Sequence, residues 1–140
     1  MKRSSHWVWL VFLLFTSCAM TVTHSANQGR LKGTIGLLEG NCMPSPNSPP
    51  CKPRPVEATL YITKPTKQFD LALLVDSVRS DAKGQFEIAI DSGEYSVFAK
   101  YESEVSCSVF QCNPTCACNP IKIAADSIST LQVKIDKATY

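Results

Sequence analysis

Between residues 85 and 100, apolar side chains fall on every second position twice over. Phe86, Ile88 and Ile90 alternate with Gln85, Glu87 and Ala89, and Tyr95, Val97 and Ala99 repeat the pattern after Asp91-Ser92-Gly93-Glu94. A period of two places each apolar set on one face of a strand. The connection joins a glycine, able to adopt positive φ, to an aspartate that can bond its own backbone. This spacing predicts a β-hairpin over residues 85–101. Asp81-Ala82-Lys83-Gly84 carries the same turn chemistry one step earlier and leads in from a strand ending near Arg79.

The rest of the chain supplies partners for that unit. Leu31, Ile35 and Leu37 share one face of a first strand. Val56, Ala58, Leu60 and Ile62 share a face of a second, stopped by Pro65. Residues 69–78 contain Val75 and Val78, lack helix caps and run into the Asp81 turn, so they read as a third strand. Residues 120–125 and 129–136 alternate as two more. Two stretches break the pattern: residues 39–55 with six prolines, and residues 105–119, rich in Cys and Asn. Seven short strands with no convincing helix predict an all-β, seven-stranded Greek-key β-sandwich, since sheets with one apolar face bury it against each other.

The leader bounds this domain. Lys2 and Arg3 precede Trp7-Val8-Trp9-Leu10-Val11-Phe12-Leu13-Leu14-Phe15, an apolar run shorter than the about 20 residues a membrane span needs. Residues 1–17 are therefore expected to be a signal peptide. Phe15-Thr16-Ser17-Cys18 resembles the lipobox of bacterial lipoproteins, with Phe15 where Leu is usual, and makes Cys18 the expected lipidation site. Ordinary cleavage after Ala19 or Ala26 is the alternative. Residues 18–30 then form the lipid-bearing Cys and a flexible tether, and residues 31–140 the domain. Once Lys2 and Arg3 leave with the leader, 12 basic residues face 12 acidic ones. That balance gives no footprint for nucleic acid.

Cysteine parity agrees with a cut at or beyond residue 18. Of seven Cys, removal of Cys18 leaves six: Cys42, Cys51, Cys107, Cys112, Cys116 and Cys118. An even set in an exported protein reads as a disulfide framework. Cys42 and Cys51 flank the Pro-rich loop, far in sequence from the other four, and are expected to pair. A Cys116–Cys118 ring is disfavoured by bond geometry, and with it Cys107–Cys112. Two arrangements of the later four remain. Cys107–Cys118 enclosing Cys112–Cys116 is preferred, because the loop joins strands whose ends can come together.

Leu31-Lys32-Gly33-Thr34-Ile35, Pro55-Val56-Glu57-Ala58-Thr59-Leu60, Asp81-Ala82-Lys83-Gly84-Gln85-Phe86 and Ser92-Gly93-Glu94-Tyr95-Ser96-Val97 resemble, in order, the carboxypeptidase regulatory-like domains of the transthyretin-like (prealbumin-like) superfamily. The likeness spans most of residues 31–136. Asp91-Ser92 stands where the family usually has a double proline, and the Cys-bearing loops are additions to its plain pattern. Its motifs are turn and core chemistry, so the resemblance implies fold far more than activity.

Chemistry in the domain is restricted. Both histidines, His6 and His24, lie before residue 31, which removes Ser-His and Cys-His nucleophiles, His-bound zinc and a His base from the domain. Related sandwich enzymes of sugar and purine pathways use His, so the resemblance argues against activity here. Glu102 and Glu104 offer a carboxylate pair, read more simply as a solvated strand face. The four late Cys allow a thiolate metal site, though disulfides suit an exported protein better. Asp81 allows calcium, though turn chemistry accounts for it. The sequence therefore predicts a non-enzymatic cell-envelope lipoprotein, a binding or structural module with no metal or other cofactor. It would be lipid-anchored to the membrane and meet an envelope protein or glycan. A secreted or periplasmic enzyme inhibitor, or a small enzyme working through the Cys-rich loops, is the alternative.

Overall fold

The computed structural model describes residues 27–46 and 49–140, so the expected signal peptide, most of the tether and Cys18 lie outside the described residues. Eleven strands follow in order: β1 Gln28–Asn41, β2 Arg54–Pro55, β3 Thr59–Thr63, β4 Leu74–Arg79, β5 Gln85–Asp91, β6 Gly93–Tyr101, β7 Glu104–Ser106, β8 Phe110–Cys112, β9 Cys116–Cys118, β10 Ile121–Ile123 and β11 Ile128–Thr139. The described residues contain no α-helix, only a 3-10 turn at Leu71–Leu73.

The strands form two packed sheets and a separate two-stranded ribbon. In the first sheet β1 is central: β11 runs parallel along one edge, while β5 and then β2 pair antiparallel along the other. The second has the order β10-β6-β3-β4, with β7 sharing an edge of β6 with β10. Leu31, Ile35, Leu37, Phe86, Ile90, Val133 and Ile135 from the first sheet meet Leu60, Ile62, Tyr95, Val97, Ala99 and Ile123 from the second in one core. These are the alternate residues whose period defines the inner faces, and each buried aliphatic chain contributes roughly 1.5–3 kcal/mol.

The expected hairpin over residues 85–101 is not one. β5 pairs with β1, and β6 pairs with β3, β7 and β10. The chain passes from one sheet to the other at Ser92, whose N–H donates to the Asn27 carbonyl. Gly93 is not among the residues with positive φ. Alternation fixes which face of each strand is apolar, and facing strands of opposite sheets satisfy it as well as neighbours in one sheet do. Asp81-Ala82-Lys83-Gly84 is likewise a crossing, from β4 to β5. The Asp81 carboxylate accepts from the N–H groups of Lys83 and Gln85 at 2.9 and 2.8 Å, and Gly84 has φ of +71°.

Residues 69–78 are a strand only from Leu74. Asp70 accepts from the Ala72 N–H at 2.9 Å and caps the 3-10 turn. Phe69 leaves the sheet and packs between Tyr61 and Phe98, with centroids 4.9 and 5.7 Å away. All seven expected strand regions hold a strand, and β2, β7, β8 and β9 are additional short ones within stretches expected to be irregular.

Candidate interaction surface

Residue alternation would leave one face of β6 in water, yet residues 95–99 are buried without a break. Tyr95, Val97 and Ala99 face the core, and Ser96 and Phe98 face outward beneath two covering segments. The Ser96 hydroxyl donates to the Thr66 carbonyl and accepts from the Thr66 N–H, both at 2.9 Å, which ties down the loop carrying Phe69. Against that loop lies the Cys-rich ribbon of β8 and β9, in which Phe110 faces Cys118 and Cys112 faces Cys116.

Asn119 locks the ribbon to β6. Its amide nitrogen donates to the Val97 carbonyl at 2.9 Å, its amide oxygen accepts from the Ser108 hydroxyl at 2.9 Å, and its backbone N–H donates to Val109. It is buried with φ of +39°, a conformation asparagine tolerates better than most residues. Cys118 N–H donates to the Thr66 carbonyl at 2.9 Å. Two nested disulfides complete the cap, Cys107–Cys118 and Cys112–Cys116, and Cys42–Cys51 closes the Pro-rich loop. This is the nested pairing preferred from the sequence. Sequence reasoning missed Asn119 and Ser96, although a Phe98 out of phase with Val97 was a legible sign of a strand covered on both faces.

The cap presents Val109 and Phe110, 49% and 60% exposed, on a short ribbon held by two cross-links. Between the ribbon and β10 lies a cleft of about 380 Å³, walled by Pro65, Tyr95, Pro114, Pro120 and Ile121 with Gln111 among its polar groups. The Tyr95 hydroxyl donates to the Asp91 carbonyl at 2.8 Å, and burial, aided by the Asp91 charge, raises its pKa above 10.0. It stays a neutral phenol that donates a hydrogen bond.

The Pro-rich loop covers a second outward side chain, Leu38 on β1, which lies outside the main core. Leu38, Met43, the Cys42–Cys51 bridge and Tyr140 line an open depression of about 640 Å³. Arg54 anchors the loop's return by an ion pair with Glu39 at 2.7 Å.

Glu102 and Glu104 do not share a strand face. Glu102 sits in the turn after β6 with φ of +56°, Glu104 opens β7, and both reach Lys137 on β11, at 3.0 and 3.5 Å. Glu102, first among the causes, raises the Lys137 pKa above 10.5. The Lys137 ammonium also lies 5.2 Å from the Tyr101 ring centre. Among the described residues, no group of three or more His, Cys, Asp or Glu is arranged to hold a metal ion, and no helix is long and apolar enough to cross a membrane.

No family model matches the sequence, and no curated protein matches it. Two solved structures are similar in shape. The minor pilin GBS52 of the Gram-positive pathogen Streptococcus agalactiae has a TM-score of 0.46 and 12% identity, over 81% of this chain and 46% of that one. The TIE protein of Bacillus anthracis has a TM-score of 0.44 and 15% identity, over 79% of this chain and 17% of that one. This chain thus spans less than half of the first and under a fifth of the second, and likenesses this loose assign neither family nor activity.

Proposed function

We propose that the chain is an exported, non-enzymatic binding module, a carboxypeptidase regulatory-like sandwich held to the cell envelope by lipid on Cys18, whose working surface is the Cys-rich cap. The observation that carries this reading is the construction of that cap. Two disulfides and the Asn119 bonds fix a short two-stranded ribbon that exposes Val109 and Phe110 at the end where Phe110 pairs with Cys118, and a rigid apolar anchor loses little conformational entropy when a partner covers it. Glu102 and Glu104 are engaged in exposed ion pairs with Lys137 and the Asp81 carboxylate in turn bonds, and residues 31–140 hold no histidine to act as base. The partner expected for such a surface is an envelope protein or glycan.

A photoreactive benzophenone side chain at position 110 tests the surface in intact cells. Cross-linking to a discrete envelope component is expected there and not from the exposed turn at Lys83. Equal labelling from both positions, or none from 110, removes the cap from the proposal. The anchor is tested separately: Cys18→Ser is expected to move the protein from the membrane fraction to the soluble one. Soluble unaltered protein beginning at Asn27 refutes lipidation. The same rigid ribbon with its exposed Val109 and Phe110 suits a secreted inhibitor, and that second reading gains if the unaltered protein is soluble and the position-110 adduct is an enzyme.

A further inference from the structure

One edge of the first sheet is a strand of twelve residues, β11, which among the described residues pairs only with β1. Arg30 N–H donates to Ser127 and Cys42 N–H to Thr139, so the odd-numbered residues of β11 turn their backbone groups toward β1. Backbone groups alternate in direction along a strand, and the even-numbered residues Thr130, Gln132, Lys134, Asp136 and Ala138 therefore point theirs away from it. Among the described residues, the only hydrogen bond to these outward backbone groups is from Ala138 N–H to the Asp136 carboxylate, at 3.2 Å. The other edge strands, β2, β5, β4, β7 and β10, are all shorter, and β4 is blunted at its middle, where Asp76 takes up the Ser77 N–H at 2.7 Å. A long open edge is a template for a further strand.

The side chains of β11 say which strand fits. Antiparallel pairing with a second β11 about a twofold axis bonds outward-pointing residues to one another only when the two partner numbers are both even. Centring the axis on Lys134 or on Asp136 opposes like charges. Centring it on Ile135 instead places Lys134 opposite Asp136 of the second copy, twice by symmetry, and Gln132 opposite Ala138. Lys134 and Asp136 are exposed on the outer face, 3.5 Å apart within one chain, and there they can exchange partners without disturbing the core. The isologous contact is self-complementary, as a twofold interface must be. We propose that the protein forms a dimer through antiparallel β11–β11 pairing in this register, which joins two sheets into one continuous sheet and leaves both Cys-rich caps free.

Sedimentation equilibrium of the mature, oxidised protein tests this by a charge-swap cycle. Lys134→Glu and Asp136→Lys each oppose like charges at two sites and are expected to weaken dimerisation by about tenfold, while the double variant restores it to within about threefold. Gln132→Pro removes an outward N–H while leaving the β1 pairing intact, and is expected to yield monomer with native circular dichroism. A monomer at high micromolar concentration overturns the proposal. So does a dimer whose affinity ignores both single charge reversals, since another surface would then be holding it, or a monomer that acquires an unrelated strand-donating protein in cell extracts.

Discussion

Asn119→Ala should loosen the Cys-rich cap, and the size of the effect follows from what the side chain holds. Its amide is the hydrogen-bond donor to the Val97 carbonyl, in a buried position. The other group near that oxygen is the Cys118 sulfur, which in a disulfide has no proton to give. Truncation therefore leaves a buried acceptor unpaired, which costs about 1–3 kcal/mol. Alanine at a φ of +39° adds roughly 1 kcal/mol of backbone strain that asparagine tolerates better. The sum, about 2–4 kcal/mol, corresponds to a fall in Tm of roughly 10 °C for a domain of this size. Urea unfolding of the oxidised protein measures the loss. Hydrogen exchange at the Cys118 amide, bonded to Thr66, shows whether the cap opens ahead of the core. Asn119→Gly removes the strain and keeps the orphaned carbonyl, so it should recover only part of the loss. A change below about 0.5 kcal/mol in both variants would show that the two disulfides hold the cap unaided and that the Val97 bond contributes nothing.

Gly84→Ala is expected to destabilise by about 2 kcal/mol or more in the same assay, since its φ of +71° is unfavourable for alanine and the new Cβ would collide with the Ile35 carbonyl oxygen. Replacing Cys42 and Cys51 together by Ser should lower stability by about 2–3 kcal/mol, most of it through the freed unfolded chain, and should raise proteolysis of the Pro-rich loop. Asp136 is held below its usual 3.8 by the Tyr140 hydroxyl first and the Ala138 N–H next. A carboxyl lowered on folding stabilises the fold above its unfolded value and loses that contribution as pH falls through the folded one. Carbon NMR should therefore place its midpoint below 3.8, and Tyr140→Phe should raise it.

Period-two alternation made the inner faces legible: Leu60, Ile62, Phe86, Ile90 and Val97 fall on the apolar faces it assigns and are buried. Pairing was less legible, because a turn such as Asp91-Ser92-Gly93-Glu94 reverses the chain equally well within a sheet or between sheets. The two- and three-residue strands β2, β7, β8 and β9 are too short to show any period, and they sit among prolines and cysteines that signal irregular chain. Phe69 misled for a different reason. It reads as the start of a strand, whereas it lies outside β4 and packs against Tyr61 and Phe98. The Cys42–Cys51 pairing was legible from loop position alone, whereas ring size left two arrangements of the later four Cys and the nested one was preferred only because the flanking strand ends could come together. Asn119 was not legible, since a lone asparagine in a loop carries no pattern until the carbonyl it satisfies has been located.

The parallel pairing of β1 with β11 also sets how the domain bears load. The chain enters β1 and leaves β11 at opposite ends of the sandwich, separated by a fourteen-residue strand, about 45 Å at the usual rise. Tension applied between a fixed N-terminal end and a partner gripping the C-terminal end runs along these two strands. It shears their ladder, from Arg30 beside Ile128 to Asn41 beside Thr139, so the hydrogen bonds share the force. Unzipping would break them one at a time. A domain pulled in this way resists extension most strongly along the line from the start of β1 to the end of β11.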